Sequence, residues 1–376
     1  MSVRVREVRN KRDLKRFILF PYQLYKNNKY WIPPLYFDEK NNFNPKKNPA
    51  FEFCDVRLWI AYKNQKIVGR IAGIVNRRFI ERWGKNYVRF GWIDFVDDEE
   101  VSEALLQTVE SWAKELGMEA VHGPLGFTDL DPEGMLIEGF EELGTIATIY
   151  NYSYYPRHLE KLGYKKDVDW VEFQVTVPEK VPEKIEKIAE IVKKKLHLRS
   201  LKAKKSKDFL PYAKDMFAVL NAAFDELYGV VPLTEKQIDK YIKQYFGFIK
   251  AEFVSIILDE NDKVAAFGIT MPSLSKAFQK AKGRIFPFGF LHILRALKKN
   301  DMVDLYLIGV RPDLQNKGVN TLLFNELIRV FIKNKIKKAE TNVELESNNK
   351  VQAQWKFFPT RQHKRRRCFI KILNEG

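Results

Sequence analysis

Asp304-Leu305-Tyr306-Leu307-Ile308-Gly309-Val310-Arg311-Pro312-Asp313-Leu314-Gln315-Asn316-Lys317-Gly318-Val319-Asn320-Thr321-Leu322-Leu323 is the stretch on which the reading of this 376-residue chain turns. Its first part has the period of a strand, with Leu305, Leu307 and Gly309 on one side and Asp304, Tyr306 and Ile308 on the other. Arg311-Pro312-Asp313 ends that strand, because proline has no amide hydrogen to give a ladder. From near Gly318 a helix is expected, with Leu322, Leu323, Leu327, Ile328 and Phe331 at helical spacing. The loop from Gln315 to Asn320 therefore opens onto amides that have no partner within their helix, at the positive end of its dipole. Such a strand–loop–helix suits a phosphate, with Lys317 adding charge and Gly318 allowing close backbone approach. The plainer alternative is an ordinary β–loop–α turn capped by Asn320.

These residues resemble the acyl-coenzyme A loop of the GNAT superfamily, the Gcn5-related N-acetyltransferases. The family pattern is Val-x-Pro-x-x-Gln/Arg-x-x-Gly-x-Gly/Ala. Val310, Pro312, Gln315 and Gly318 match it, and Asn320 replaces the last Gly or Ala. The resemblance implies that acetyl-CoA or a longer acyl-CoA, or the phosphopantetheine of an acyl carrier protein, binds along Gln315, Asn316, Lys317, Gly318, Val319, Asn320 and Thr321. It also implies that backbone amides of Ile308, Gly309 and Val310 serve the acyl carbonyl. A carboxylate at the start of that strand often acts as base in the family, which gives Asp304 the role, with Glu344 and Glu346 in reserve. The bland reading of Asp304 is a strand-end carboxylate facing solvent. A second family pattern, Asn-x-x-Ala-x-x-Leu-Tyr-x-x-x-Gly-Phe, is met at Asn348, with Val351 for Ala, Trp355 for Tyr and Pro359-Thr360 for Gly-Phe. In many members that Tyr protonates the leaving thiolate. Indole cannot, so the general acid stays unassigned. Ser347 is the expected cap of the helix that follows.

Composition narrows the partners. The chain carries 65 Lys and Arg against 48 Asp and Glu, a net charge of +17. That field favours anions: nucleic acid, anionic lipid, acidic carrier protein or coenzyme A phosphates. Solvated lysine-rich faces account for it equally well. No helix-turn-helix, zinc-finger, RNP or KH signature occurs, and the cations are not gathered around aromatic platforms, so nucleic acid is set aside. The run Arg361-Gln362-His363-Lys364-Arg365-Arg366-Arg367 is a further candidate holder of anions. No apolar run nears the length of a membrane span, and Ser2-Val3-Arg4-Val5-Arg6 lacks the apolar centre of a signal peptide. Cys54 and Cys368 lie far apart, and five scattered histidines show no ligand pairing. No disulfide framework and no metal are expected, and a cytoplasmic location fits. Hydrolase, dehydrogenase and nucleotide-hydrolase readings are weak, because no Gly-x-Ser-x-Gly, Gly-x-Gly-x-x-Gly or Walker loop is present.

The length favours two domains, and the order of elements recurs. Gln65-Lys66-Ile67-Val68-Gly69 and Asn261-Asp262-Lys263-Val264-Ala265 each open a hairpin strand, followed by a strand, a loop, a helix, a strand and a short helix. Tyr155 to Tyr164 ends in Leu-Gly-Tyr, like the GNAT element that closes with Leu-Gly-Phe/Tyr. The expected fold is therefore α/β (α+β), two tandem GNAT-like domains, each a mixed twisted sheet flanked by helices. The expected division is 1–177, a connecting amphipathic helix at 178–198, and 199–376. Aligning Leu105-Leu106 with Leu322-Leu323 sets Asp98-Glu99-Glu100-Val101 on Gln315-Asn316-Lys317-Gly318. Carboxylates then occupy the phosphate position of the first half and cap their own helix, so the first domain should hold no coenzyme A. It serves as a structural partner or as one wall of a substrate cleft, with Gly123 to Asp129 nearby.

Between Met271 and Asp301 the second half carries an insertion far longer than an ordinary connection. It mixes Phe278, Phe286, Phe288, Phe290 and Leu291 with Lys276, Lys280, Lys282, Arg284, Arg295 and Lys298. That composition suits an anionic bilayer surface or the cover of an acyl chain, and equally a helical hairpin packed on its domain. The whole layout also resembles a group that includes the bacterial ceramide synthases, which acylate a long-chain amine. The expected function is N-acyl transfer from acyl-CoA or acyl carrier protein to a primary amine, extending to a lipid or long-chain base at the inner membrane surface. A small-amine N-acetyltransferase and a non-catalytic acyl-CoA-binding protein are the alternatives.

Overall fold

Asn64 and Gln65, with φ of 53° and 62°, close the first hairpin as two consecutive left-handed residues, the twist that suits paired strands. The computed structural model describes residues 2–245 and 249–373. Its strands are β1 (Arg4–Glu7), β2 (Cys54–Lys63), β3 (Lys66–Asn76), β4 (Tyr87–Phe95), β5 (Ala120–Gly123), β6 (Met135–Glu138) and β7 (Lys165–Thr176). There follow β8 (Arg199–Ser200), β9 (Val254–Leu258), β10 (Val264–Pro272), β11 (Met302–Val310), β12 (Lys338–Thr341), β13 (Glu344–Leu345) and β14 (Thr360–Ile372). The α-helices are α1 (Lys11–Leu24), α2 (Tyr36–Asn42), α3 (Arg77–Trp83), α4 (Glu99–Glu115), α5 (Tyr154–Lys161) and α6 (Glu183–Lys195). The rest are α7 (Ala213–Phe224), α8 (Glu235–Tyr245), α9 (Ser275–Ala281), α10 (Gly289–Lys298), α11 (Asn320–Lys333) and α12 (Asn349–Gln352).

Two compact units form, and they do not follow the simple division at 177 and 198. One holds the chain up to Val171, together with Ser275–His292 and the residues from His363 onward. The other is Glu172–Leu274 with Ile293–Gln362. The last strand of the chain therefore serves the first unit: its Phe369 pairs with Gly123 and its Ile370 with His122 of β5. Conversely, Gln174, Val175 and Thr176 pair with Glu340, Ala339 and Lys338 of β12 in the second unit.

In the first unit the strands run β1-β2-β3-β4-β5-β14, with only β4 and β5 parallel. One face is covered by α4, whose Val101, Leu105, Leu106 and Val109 are fully buried against Ile71, Phe90, Val121 and Phe369. Each such side chain contributes roughly 1.5–3 kcal/mol by leaving water. Gly73 admits Trp112 of that helix: a Cβ there would stand 2.7 Å from the indole. The other face is covered by α1, through Phe17 and Ile18 on Ile60 and Ala72. The segment with α9 belongs to this unit, where Gln279 Nε2 donates to the carbonyls of Lys29 (2.9 Å) and Trp31 (3.0 Å). Of the two readings of the insertion, the helical hairpin packed wholly on its own domain does not hold for Ser275–His292.

The second unit runs β7-β12-β11-β10-β9-β8, again with one parallel pair, β11 and β12. That pair begins at Met302 opposite Lys338, as β4 and β5 begin at Tyr87 opposite Ala120. The repeat read from the sequence is visible in this register. The connecting helix expected at 178–198 is α6, and it is an integral layer of the second unit. Its Ala189 and Val192 pack on Leu322 and Leu323 of α11, and its Ile185 on Ile328. The opposite face of β10 and β11 carries α7.

Candidate functional site

The site grows from a fault in β11. Leu307 lies opposite Ile269 of β10, but Thr270 lies opposite Leu305, so Tyr306 is one residue too many. This is a β-bulge, and it resets the side-chain alternation. Leu305 packs beside Leu327 and Phe331 of α11, while Ile308 and Val310 pack beside Leu322 and Leu323 of the same helix. The strict alternation expected from the sequence, with Leu305 and Ile308 on opposite sides, is corrected here. The parallel ladder with β12 also stops at Leu305. From Tyr306 to Val310, β11 is laddered on its β10 side alone among the described residues. Alternate amides of Ile308, Gly309 and Val310 thus face an open edge, not all three. Asn342, just past β12, tends the bulge: its amide donates to Leu305 O (3.1 Å) and its Nδ2 to Tyr306 O (3.3 Å).

Beyond β11, Arg311 stiffens the loop, donating to Asp313 through Nε (2.7 Å) and to Asp259 through Nη1 (2.7 Å). Gln315 folds back, its Nε2 donating to Val310 O at 3.2 Å. Asn316 and Gly318 adopt φ of 59° and 79°, and α11 starts at Asn320 instead of near Gly318. Gly318 faces inward: a Cβ there would come within 3.2 Å of Val192 on α6. The glycine serves the left-handed turn and the approach of α6, a different reason from the close ligand approach expected. Asn320 is the first residue of α11 and not its cap, and its Nδ2 donates to Gln354 Oε1 (2.9 Å). Thr321 Oγ1 donates to Gly318 O (2.6 Å). Lys317 is exposed beside the first turn of α11, where the Thr321 and Leu322 amides already donate to the carbonyls of Gly318 and Val319 (3.0 Å each), so a ligand would meet the loop and the very start of the helix. Exposed cation and helix start together form a donor set that suits a phosphate.

The corresponding helix start in the first unit is already filled. Asp98 accepts from the Glu100 amide (3.1 Å), and Lys63 Nζ lies 2.6 Å from Asp98 and 2.8 Å from Glu100. This is the occupation by carboxylates expected there.

Three acids gather in the second unit, and a fourth lies a few residues further along the chain. Asp304 is buried, not solvent-facing, and is the register partner of buried Glu340 on β12. Paired residues of parallel strands share a face, so two carboxyl groups stand side by side. Tyr306 donates its hydroxyl to Asp304 Oδ2 at 3.3 Å, and Glu172 is fully buried on β7. Neither Glu340 nor Glu172 was singled out from the sequence, where Glu340 alternates in phase with the exposed Lys338 and so reads as a surface position. The fourth acid is Glu344, two residues beyond Asn342 and hence within about 7 Å of it along the backbone. Burial pushes its carboxyl up to about 8, against the opposing pull of its hydrogen bond from Trp355. Trp355 Nε1 donates to both Glu344 oxygens, at 3.0 and 3.2 Å. The indole that cannot protonate a thiolate instead holds the carboxyl group. Asn348 caps α12, accepting from the Val351 amide at 3.3 Å, the place expected for Ser347.

The basic run near the C-terminus proves to be internally engaged. Arg367 Nε donates to Asp169 Oδ1 (2.8 Å), Arg365 stands 3.3 Å from Glu138, and Arg366 is buried with its guanidinium on the Ile149 carbonyl. Its anions are carboxylates of this chain.

Comparison with known proteins adds a second line. No family model matches the sequence. Protein YghO of Escherichia coli (strain K12) is 30% identical over 376 residues, covering 98% of this chain and 95% of that one. A bacterial ceramide synthase of Caulobacter vibrioides is 26% identical over 325 residues, 84% of this chain and 82% of its own. Among solved structures, a tandem GNAT protein from the clavulanic acid biosynthesis pathway covers all of both chains with a TM-score of 0.54 at 10% identity. A GCN5-related N-acetyltransferase from Sphaerobacter thermophilus covers 100% of this chain and 96% of its own, with a TM-score of 0.52 at 10% identity.

Proposed function

We propose, from the premise that this chain belongs to the family of protein YghO and has the tandem GNAT fold, that it is an N-acyltransferase working in its second unit. The observation that carries the reading is Glu344, a carboxyl group raised to about 8, held by Trp355 and two residues along the chain from Asn342, which binds the bulge of β11. A base whose pKa lies near working pH combines an available ionised form with real proton affinity. The acyl-CoA would lie with its pyrophosphate at Gln315, Asn316, Lys317, Gly318, Val319, Asn320 and Thr321, and its thioester along Ile308, Gly309 and Val310. The thioester supplies the activated acyl carbon. The open edge of β11 turns alternate amides toward its carbonyl oxygen, where negative charge develops. Glu344 takes the proton from the attacking amine, and the sulfur leaves as thiolate. Asp304 and Glu340 form a buried acidic pair on the same sheet and favour a cationic amine nearby.

The acceptor we favour is a lipid amine or long-chain base. The similarity to a ceramide synthase supports this, as does the exposure of Phe286 (76%), Phe288 (69%) and Leu291 (52%) beside Arg284 and Lys282. Apolar side chains flanked by cations suit an anionic bilayer, each cation adding about 1 kcal/mol near such a surface. No helix among the described residues is long and apolar enough to cross a membrane, so the proposed contact is peripheral. The test is thioester consumption by the purified chain with acetyl- and long-chain acyl-CoA against small amines and sphingoid-type amines. Turnover confined to small amines replaces the lipid reading with the small-amine one. Coenzyme binding without turnover on any amine makes the chain a binding protein.

A further inference from the structure

In the first unit, His122 of β5, Asp167 of β7 and Cys368 of β14 bring an imidazole nitrogen, a carboxylate oxygen and a sulfur within 4.8 Å of one another. The sheet explains how. Ile370 of β14 pairs with His122, so Cys368, two residues away, lies diagonally across from His122 on the same face. Asp167 reaches in with a carboxylate oxygen 3.6 Å from His122 Nδ1. The rings of Phe79 and Tyr87, at 5.5 and 5.3 Å, fix the imidazole. His122 and Cys368 are fully buried, and Asp167 keeps part of its side chain at the surface.

We propose that His122, Asp167 and Cys368 form a site for a thiophilic divalent cation, zinc above all. One imidazole, one thiolate and one carboxylate are the donor types zinc prefers, and water entering past Asp167 supplies the fourth position. Ligand distances of about 2.0–2.3 Å place tetrahedral donor atoms within about 3.8 Å of each other, a small closure from the spacing found. Charge also fits. A thiolate and a carboxylate together balance a doubly charged ion, so the filled site is itself neutral beside buried Arg89, the register partner of His122 on β4. Binding exchanges the Cys368 sulfhydryl proton for the metal, and that proton goes to the buffer. The ion would fasten the last strand of the chain to strands from its first half. The spacing of cysteines and histidines in the sequence gave no sign of this, because the three ligands converge only through the pairing of β5 and β14.

The experiment uses the full reduced chain, free of any affinity tag, titrated with zinc and with cobalt(II). One equivalent of zinc retained through dialysis is expected. Cobalt(II) should give a thiolate-to-metal absorption band that Cys368→Ser removes and Cys54→Ser leaves intact. Asp167→Asn, at a partly exposed position, should keep the chain folded and weaken zinc binding at least tenfold. A folded wild-type chain that takes up neither ion at one equivalent overturns the proposal. So does a Cys368→Ser protein that binds cobalt(II) with an unchanged spectrum.

Discussion

A single carboxyl group can be interrogated by pH. With Glu344 raised to about 8, rates that depend on its ionised form should climb with pH and level off above that value. Glu344→Gln should lower kcat by 100-fold or more while acyl-CoA affinity, read by calorimetry, stays within twofold. Trp355→Phe removes a hydrogen bond that favours the ionised form, so the inflection should move up by about one unit. An inflection that stays in place in that variant would show that Glu344 is not the titrating base. The same group predicts a stability effect. A carboxyl raised on folding favours the folded state fully below its unfolded pKa, and that advantage is lost as pH rises toward and through about 8. Wild-type protein should lose several degrees of Tm between pH 5 and 9 relative to Glu344→Gln. Sequence spacing gave Glu344 only as a reserve, because burial and the Trp355 contact depend on how residues 344 and 355 meet in space.

Among elements, the loop before α11 and the segment before α10 make separable predictions. Gly318→Asp should abolish acyl-CoA binding in calorimetry, since the φ of 79° is strained for any side chain and the new Cβ would press on Val192 of α6, displacing the loop. Lys317→Ala is the gentler control: the chain stays folded, and binding weakens several-fold in a salt-dependent way. Unchanged affinity in both variants would remove the loop from the coenzyme site. For the apolar segment, Phe286→Ser with Phe288→Ser should abolish flotation with anionic liposomes. It should shift stability by no more than about 0.5 kcal/mol, because both rings are exposed. Equal flotation of wild type and variant would leave the segment without a membrane role. These elements were largely readable from the sequence: proline marked the end of β11, the apolar spacing of Leu322 to Phe331 gave α11, and the turn residues gave the first hairpin. The bulge was not readable, because Tyr306 departs from alternation only in relation to β10.

At the scale of the molecule, the tandem repeat was legible and the membership of the units was not. Hydrophobic period and turn residues report local structure, whereas the choice of strand partner is made between segments hundreds of residues apart. The register of β14 on β5 has a consequence for the order in which the protein can be made. Synthesis delivers residues from the N-terminus first, and domains commonly fold as they emerge. Here the first unit lacks an interior-facing strand, with Phe369 of its core, until β14 has been made. The nascent first half must wait with β5 uncovered, while the second unit, ending at Gln362, has all its strands in hand before then. Chains released after residue 362 should therefore show the N-terminal half open to protease and the C-terminal half already protected, the reverse of the usual sequence of events.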